Sequence, residues 1–99
     1  MKEIILSADG PYYMYLVPDE VAENLEDYCI EFNIWLRKSP DAEKYRAKGG
    51  VCYCEQDFID YLNKYIFPHQ KSFLVKELDF INLKNFLSSK YRDYPYYNF

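Results

Sequence analysis

No apolar run in this chain approaches the ~20 residues that a membrane-spanning helix needs, so the sequence predicts a protein that does not enter the bilayer. Histidine occurs once, at His69, and cysteine three times, at Cys29, Cys52 and Cys54. An odd cysteine count argues against a disulfide framework, and no secretory apolar region marks the start MKEIILSADG; a reducing cytoplasm is the expected location. Positive charge is nearly missing from the first third, where residues 1–36 carry eight acids and one lysine. Such a surface repels phosphate backbones, which excludes direct nucleic-acid binding and favours a basic protein partner instead. Internal repeats, linkers and low-complexity segments are lacking as well. With 99 residues the chain fills one domain with one core, 1–99, and is too short for a large catalytic cleft.

What the chain has in abundance is aromatic side chain, 12 Tyr and 7 Phe, enough for a core that is stable without staples. Tyrosine beyond what the core can hold would point to a contact surface. The organising stretch is DEVAENLEDYCIEFNIWL, residues 19–36. Val21, Leu25, Tyr28, Cys29, Phe32, Trp35 and Leu36 recur at helical spacing and predict one amphipathic helix of nearly five turns. Asp19, Glu20, Glu23, Glu26, Asp27 and Glu31 occupy the rest of it. Asp19 is the expected N-cap, Arg37 and Lys38 suit the negative end of the helix dipole, and Pro40 bars continuation past Ser39.

Before this helix, residues 3–7 read as a strand buried on both faces through Ile4, Ile5 and Leu6. Asp9-Gly10 marks a turn, and residues 12–17 read as an antiparallel partner strand. Tyr12, Met14 and Leu16 share one of its faces, with Tyr13, Tyr15 and Val17 on the other. After the helix, residues 41–48 read as a basic exposed loop or short helical turn, broken by Gly49-Gly50. Residues 51–54 read as a short strand, and 55–67 as a second amphipathic helix with Phe58, Ile59, Leu62, Tyr65 and Ile66 inward, stopped by Pro68. A strand at 73–78, extending through Phe80 and Ile81, and a helical turn at Leu83, Phe86 and Leu87 complete the pattern. The aromatic-rich tail 91–99 reads as irregular, packing along the domain or against a partner. The order ββαβαβ predicts an α+β fold, a small and mostly antiparallel sheet covered by two amphipathic helices.

Three constellations could carry chemistry. Cys52-x-Cys54 places two sulfurs on one side of a strand, and Cys29 with His69 could complete a zinc set, but only one cysteine pair is present and structural zinc sites space theirs at C-x2–4-C. Cysteine and histidine could also act as nucleophile and base, with the helix dipole lowering the Cys54 pKa; no third group orients them, so no catalytic residues are assigned and no enzyme, metal or cofactor is expected. The acids of the first helix spread around its surface instead of converging, as solvated carboxylates do. The exception is the flank where Ile30 and Ile34 fall nearly opposite Leu25 and Phe32, at about 100° per residue. Branched apolar side chains among carboxylates are either covered by another element or form the centre of a binding patch with a charged rim.

The blocks YLVPDEVAENLEDYCIEFNIWL, GGVCYCEQDFIDYLNKYIFP and YPYYNF together resemble short bacterial proteins of about this length. In size, acidity and lack of catalytic residues the chain is similar to the immunity proteins that neutralise toxins in bacterial competition. That likeness is one of type and assigns no residues. The expected function is a cytoplasmic protein-binding module for a basic partner such as a toxin, with Glu20, Glu23, Asp27 and Glu31 as rim and Ile30 and Ile34 as centre. The alternatives are a homodimer formed through a Tyr-rich sheet edge and tail, and a small Cys/His metal or thiol site.

Overall fold

In the computed structural model, residues 1–8, 11–78 and 93–99 are described. Strands β1 (Lys2–Ser7) and β2 (Tyr12–Val17) pair antiparallel from Lys2 opposite Val17 to Ser7 opposite Tyr12. β5 (Phe73–Leu78) adds antiparallel to the far side of β2, with a bulge between Met14 and Tyr15. β6 (Tyr96–Asn98) adds parallel to β1, giving the order β5-β2-β1-β6. The sheet is therefore mixed, with two of its three pairings antiparallel, and packs against helices in an α+β domain.

Alternation does what the sequence implies. Ile4, Leu6, Tyr15 and Val17 face the helices, while Ile5 and Met14 are buried on the opposite side with Leu78, next to Tyr12, Tyr94 and Tyr96. On the helical side, the Phe32 ring is a hub, with Tyr61, Phe58, Tyr53 and Phe99 at centroid distances of 5.2, 5.5, 5.6 and 5.9 Å. Tilted and edge-on rings at such distances add to the area that burial alone removes from water.

The first helix differs from expectation in two ways. Asn24 splits it into α1 (Asp19–Glu23) and α2 (Leu25–Lys38). The Asn24 side-chain amide donates to the Glu20 carbonyl at 3.0 Å, and its backbone takes up φ −130°, outside the helical region. An asparagine that bonds the carbonyl four residues back competes with the helix ladder, which explains the break. Nor does Asp19 cap. Pro18 is the cap residue, its carbonyl accepting from the Val21 and Ala22 amides, and the Asp19 carboxylate instead meets the Met1 ammonium at 2.8 Å. The C-terminal end is as expected, at Ser39 before Pro40.

Residues 40–51 hold more structure than the sequence suggests. A 3-10 turn (Pro40–Tyr45) leads into a two-stranded hairpin, β3 (Arg46–Ala47) with β4 (Gly50–Val51), separate from the main sheet. The turn is made at Gly49, whose φ of 95° suits glycine. Arg46 ties the hairpin to α2: its Nε donates at 2.9 Å to the Leu36 carbonyl, in the last turn where helix acceptors lack internal partners, and its guanidinium to the Ser39 carbonyl, which also accepts from the Ala42 amide. The expected strand over 51–54 reduces to Val51, because the Cys52 amide donates to Tyr45 and Tyr53 turns toward Phe32.

α3 (Glu55–Tyr61) runs on into a π turn (Leu62–Ile66), so the predicted extent holds. The face does not. The Phe67 amide bonds the Leu62 carbonyl five residues back at 2.7 Å, and the wider turn moves Tyr65 outward while Tyr61 is buried with Phe58, Ile59 and Leu62. Within the tail, 96–98 form a strand where irregular chain was expected, and this end packs along the domain: Tyr97 and Phe99 join the helical core, and the Phe99 amide donates to the Ser7 carbonyl at 2.8 Å. The extension through Phe80 and Ile81, the turn at Leu83, Phe86 and Leu87, and Asp9-Gly10 lie outside the described residues.

Candidate functional site

α2 is long enough to present three different surfaces. Leu25, Cys29, Phe32 and Leu36 are buried, and the opposite strip exposes Asp27, Ile30, Glu31 and Ile34. Ile30 and Ile34 retain 45% and 50% exposure, so no element among the described residues covers them. One turn apart on the helix, they make a small apolar centre. Among the described residues Glu26, Asp27 and Glu31 have no ion pair, which leaves the N-terminal half of the strip negative. Arg37 and Lys38, also exposed, close its other end with positive charge, so the rim is acidic beside Ile30 and mixed beyond Ile34.

The remaining two acids sit on α1. Glu20 lies close enough to Tyr28 for its charge to be felt: the Tyr28 pKa is raised by burial and by the charges of Glu20 and Glu31. Tyr28 thus links Glu20 to the α2 acids, a connection that spacing alone hides because Tyr28 reads as core. Glu23 turns the other way and pairs with Lys2 at 3.0 Å, a contact that raises the Lys2 pKa. Of the six residues expected at the site, Asp27, Ile30, Glu31 and Ile34 share one surface, Glu20 adjoins it through Tyr28, and Glu23 is partly neutralised by β1.

The cysteine and histidine residues are placed differently from one another. Cys29 is sealed in the core, and burial raises its pKa. Cys52, Cys54 and His69 are exposed, and among the described residues no three of the His, Cys, Asp and Glu side chains gather to hold a metal ion. Cys54 does stand at the start of α3, where the Asp57 and Gln56 amides favour its thiolate. Burial outweighs them, aided by the carboxylates of Asp57 and Glu55, and its pKa rises where the dipole alone would lower it. A recess of about 250 Å³ beside Cys52 is lined otherwise by Ala8, Val51, Tyr53 and Phe99. Among the described residues no helix is long and apolar enough to cross a membrane. No family model, curated protein or solved structure matches this chain, and any reading of what it does rests on its own surfaces.

Proposed function

We propose that the chain is a protein-binding module of the toxin-immunity type, which docks the exposed strip of α2 onto a basic protein partner. The observation that carries this reading is the pair Ile30 and Ile34, half exposed amid carboxylates that lack counter-charges. In the free chain the isoleucines forgo burial and the acids repel one another. A partner with an apolar socket ringed by Lys and Arg would remove both costs. Ile30 and Ile34 supply the desolvated centre, Asp27, Glu31 and Glu20 steer the encounter, and binding over a toxin's basic active surface would block it. The test is association kinetics with a partner captured on the immobilised protein. The rate constant falls steeply as salt is raised, and the doubly substituted Ile30→Asp, Ile34→Asp protein captures none of it. Capture that ignores both ionic strength and the double substitution refutes the reading.

Self-association is the second reading, favoured by Phe73, Leu74 and Val75, which are 53%, 47% and 44% exposed on β5 at the end of the sheet order. The Tyr-rich strand β2 lies inside the sheet, and so the surface for a homodimer shifts to β5. Light scattering across a concentration series decides it: a mass fixed at that of one chain defeats the dimer.

A further inference from the structure

On the side of α2 next to Glu31, a recess of about 110 Å³ is lined by Trp35, Tyr45, Tyr61 and Tyr65 together with two acids, Asp41 and Asp60, and two lysines, Lys44 and Lys64. The three tyrosine centroids stand 5.9, 5.1 and 5.3 Å from that of Trp35, their planes inclined to it by 55°, 49° and 50°. Three separate segments converge to build the recess, the end of α2, the 3-10 turn and the α3–π junction. The π turn is the element that swings Tyr65 to the rim, and such turns recur at binding sites.

The faces of these rings already attract cations. The Lys44 ammonium lies 5.0 Å from the centre of the Tyr45 ring and the Lys64 ammonium 5.3 Å from that of Tyr65. Pockets for whole metabolites run to ~300 Å³ and more, so this recess takes only a head group. Asp41 and Asp60 balance Lys44 and Lys64 in the lining, so charge alone selects neither sign and the ring faces decide for a cation. A bare ammonium is strongly hydrated and gains little over the resident lysines, while a methylated ammonium sheds water easily and offers methyl surface to the accessible rings of Trp35, Tyr45 and Tyr65. We propose that this recess binds a methylated ammonium group, carried by a small molecule or by a methylated lysine side chain. The site does not depend on the docking strip formed by Ile30 and Ile34.

Trp35 is the only tryptophan of the chain and reports on the recess directly. Titration of the intact protein with choline changes Trp35 fluorescence saturably, and 3,3-dimethylbutan-1-ol, which has the same shape without the charge, does not. Tyr65→Leu weakens choline roughly 2- to 30-fold and Tyr65→Phe leaves it nearly unchanged, as loss and retention of one cation–π contact require. Lys64→Met tightens binding by vacating the Tyr65 ring, an effect that damage to the fold would not produce. Ile30→Asp leaves choline binding unaltered whatever it does to a protein partner. A parallel titration with N-acetyl-trimethyllysine methylamide assigns the source, the tighter of the two ligands marking it. Equal response to the charged and neutral isosteres, or no saturable response to either cation, overturns the proposal.

Discussion

Exchanging Ile30 for a charged residue tests the geometry of α2 without any partner. Full burial of an isoleucine side chain is worth ~1.5–3 kcal/mol; at 45% exposure, about half of that is already forgone in the fold. Ile30→Asp loses the covered half and adds a carboxylate next to Glu26, Asp27 and Glu31, a repulsion of a few tenths of a kcal/mol. The expected cost is about 1 kcal/mol, a drop of ~4–8 °C in Tm for a domain of this size. Ile30→Lys separates burial from charge. Its stem covers the same helix surface and its ammonium follows Glu26 by four residues, the favourable order, so the loss stays within ~0.5 kcal/mol. Both proteins are melted beside Phe32→Ala, which empties the fully buried hub and costs ~3–5 kcal/mol. If Ile30→Lys lowers Tm by more than ~10 °C, the side chain is sealed in the folded protein and the docking strip does not exist.

Arg46→Ala leaves the Leu36 carbonyl at the end of α2 without its donor, and the Ser39 carbonyl with only the Ala42 amide, and costs about 1–2 kcal/mol in chemical denaturation; Arg46→Lys, which cannot reach both with a planar fork, recovers less than half. Thiol alkylation followed by mass spectrometry finds Cys29 unreacted until the protein unfolds and Cys54 slower at neutral pH than an unhindered thiol, since its pKa is raised; a fast Cys54 would refute the balance drawn at the α3 start. At alkaline pH, Tyr15 and Tyr96 set the limit. Burial raises both, Tyr96 to about 12 with help from Tyr12, so the fold favours their neutral forms. Their stabilisation is whole below the ordinary tyrosine value of 10 and is lost as pH climbs through 12. Circular dichroism that collapses well below pH ~10 would contradict this.

How far the sequence could be read depends on the range of the interaction concerned. Ile4, Ile5 and Leu6 reveal a strand buried on both faces because two-residue alternation is local, and Phe58, Ile59 and Leu62 reveal a helix for the same reason. Asn24 reveals nothing, since its bond to Glu20 is an option that many helical asparagines decline. The two-residue strands at 46–47 and 50–51 are too short to carry a period. β6 is invisible because its pairing is made with β1, some ninety residues earlier, and no local pattern in YPYYNF encodes that partner. Of the site, helix angle set Ile30 and Ile34 opposite Leu25 and Phe32 but left open whether another element covers them, since a covering contact is tertiary; their exposure is read from the fold. The recess did not follow from helix angle, for Trp35, Tyr45, Tyr61 and Tyr65 come from three segments, and Tyr65 reads as core until the π turn displaces it.

The arrangement around α2 shows how one core can serve two surfaces. Phe32 and Trp35 are adjacent on the helix and stack at 6.0 Å, yet Phe32 is fully buried and Trp35 opens toward the recess. Glu31 stands between that recess and the isoleucine strip, and its charge is felt by both Tyr28 and Tyr61. A cation approaching either surface meets the same carboxylate, but the contacts that would hold it differ: methyl and ring faces at Trp35, branched aliphatic carbon at Ile30 and Ile34. Glu31→Gln should therefore slow the encounter with a basic partner and weaken choline slightly. Ile30→Asp and Tyr65→Leu should each weaken only the interaction on its own side. The two surfaces share a source of attraction and differ in what they hold, and only substitutions at the apolar and aromatic groups can tell them apart.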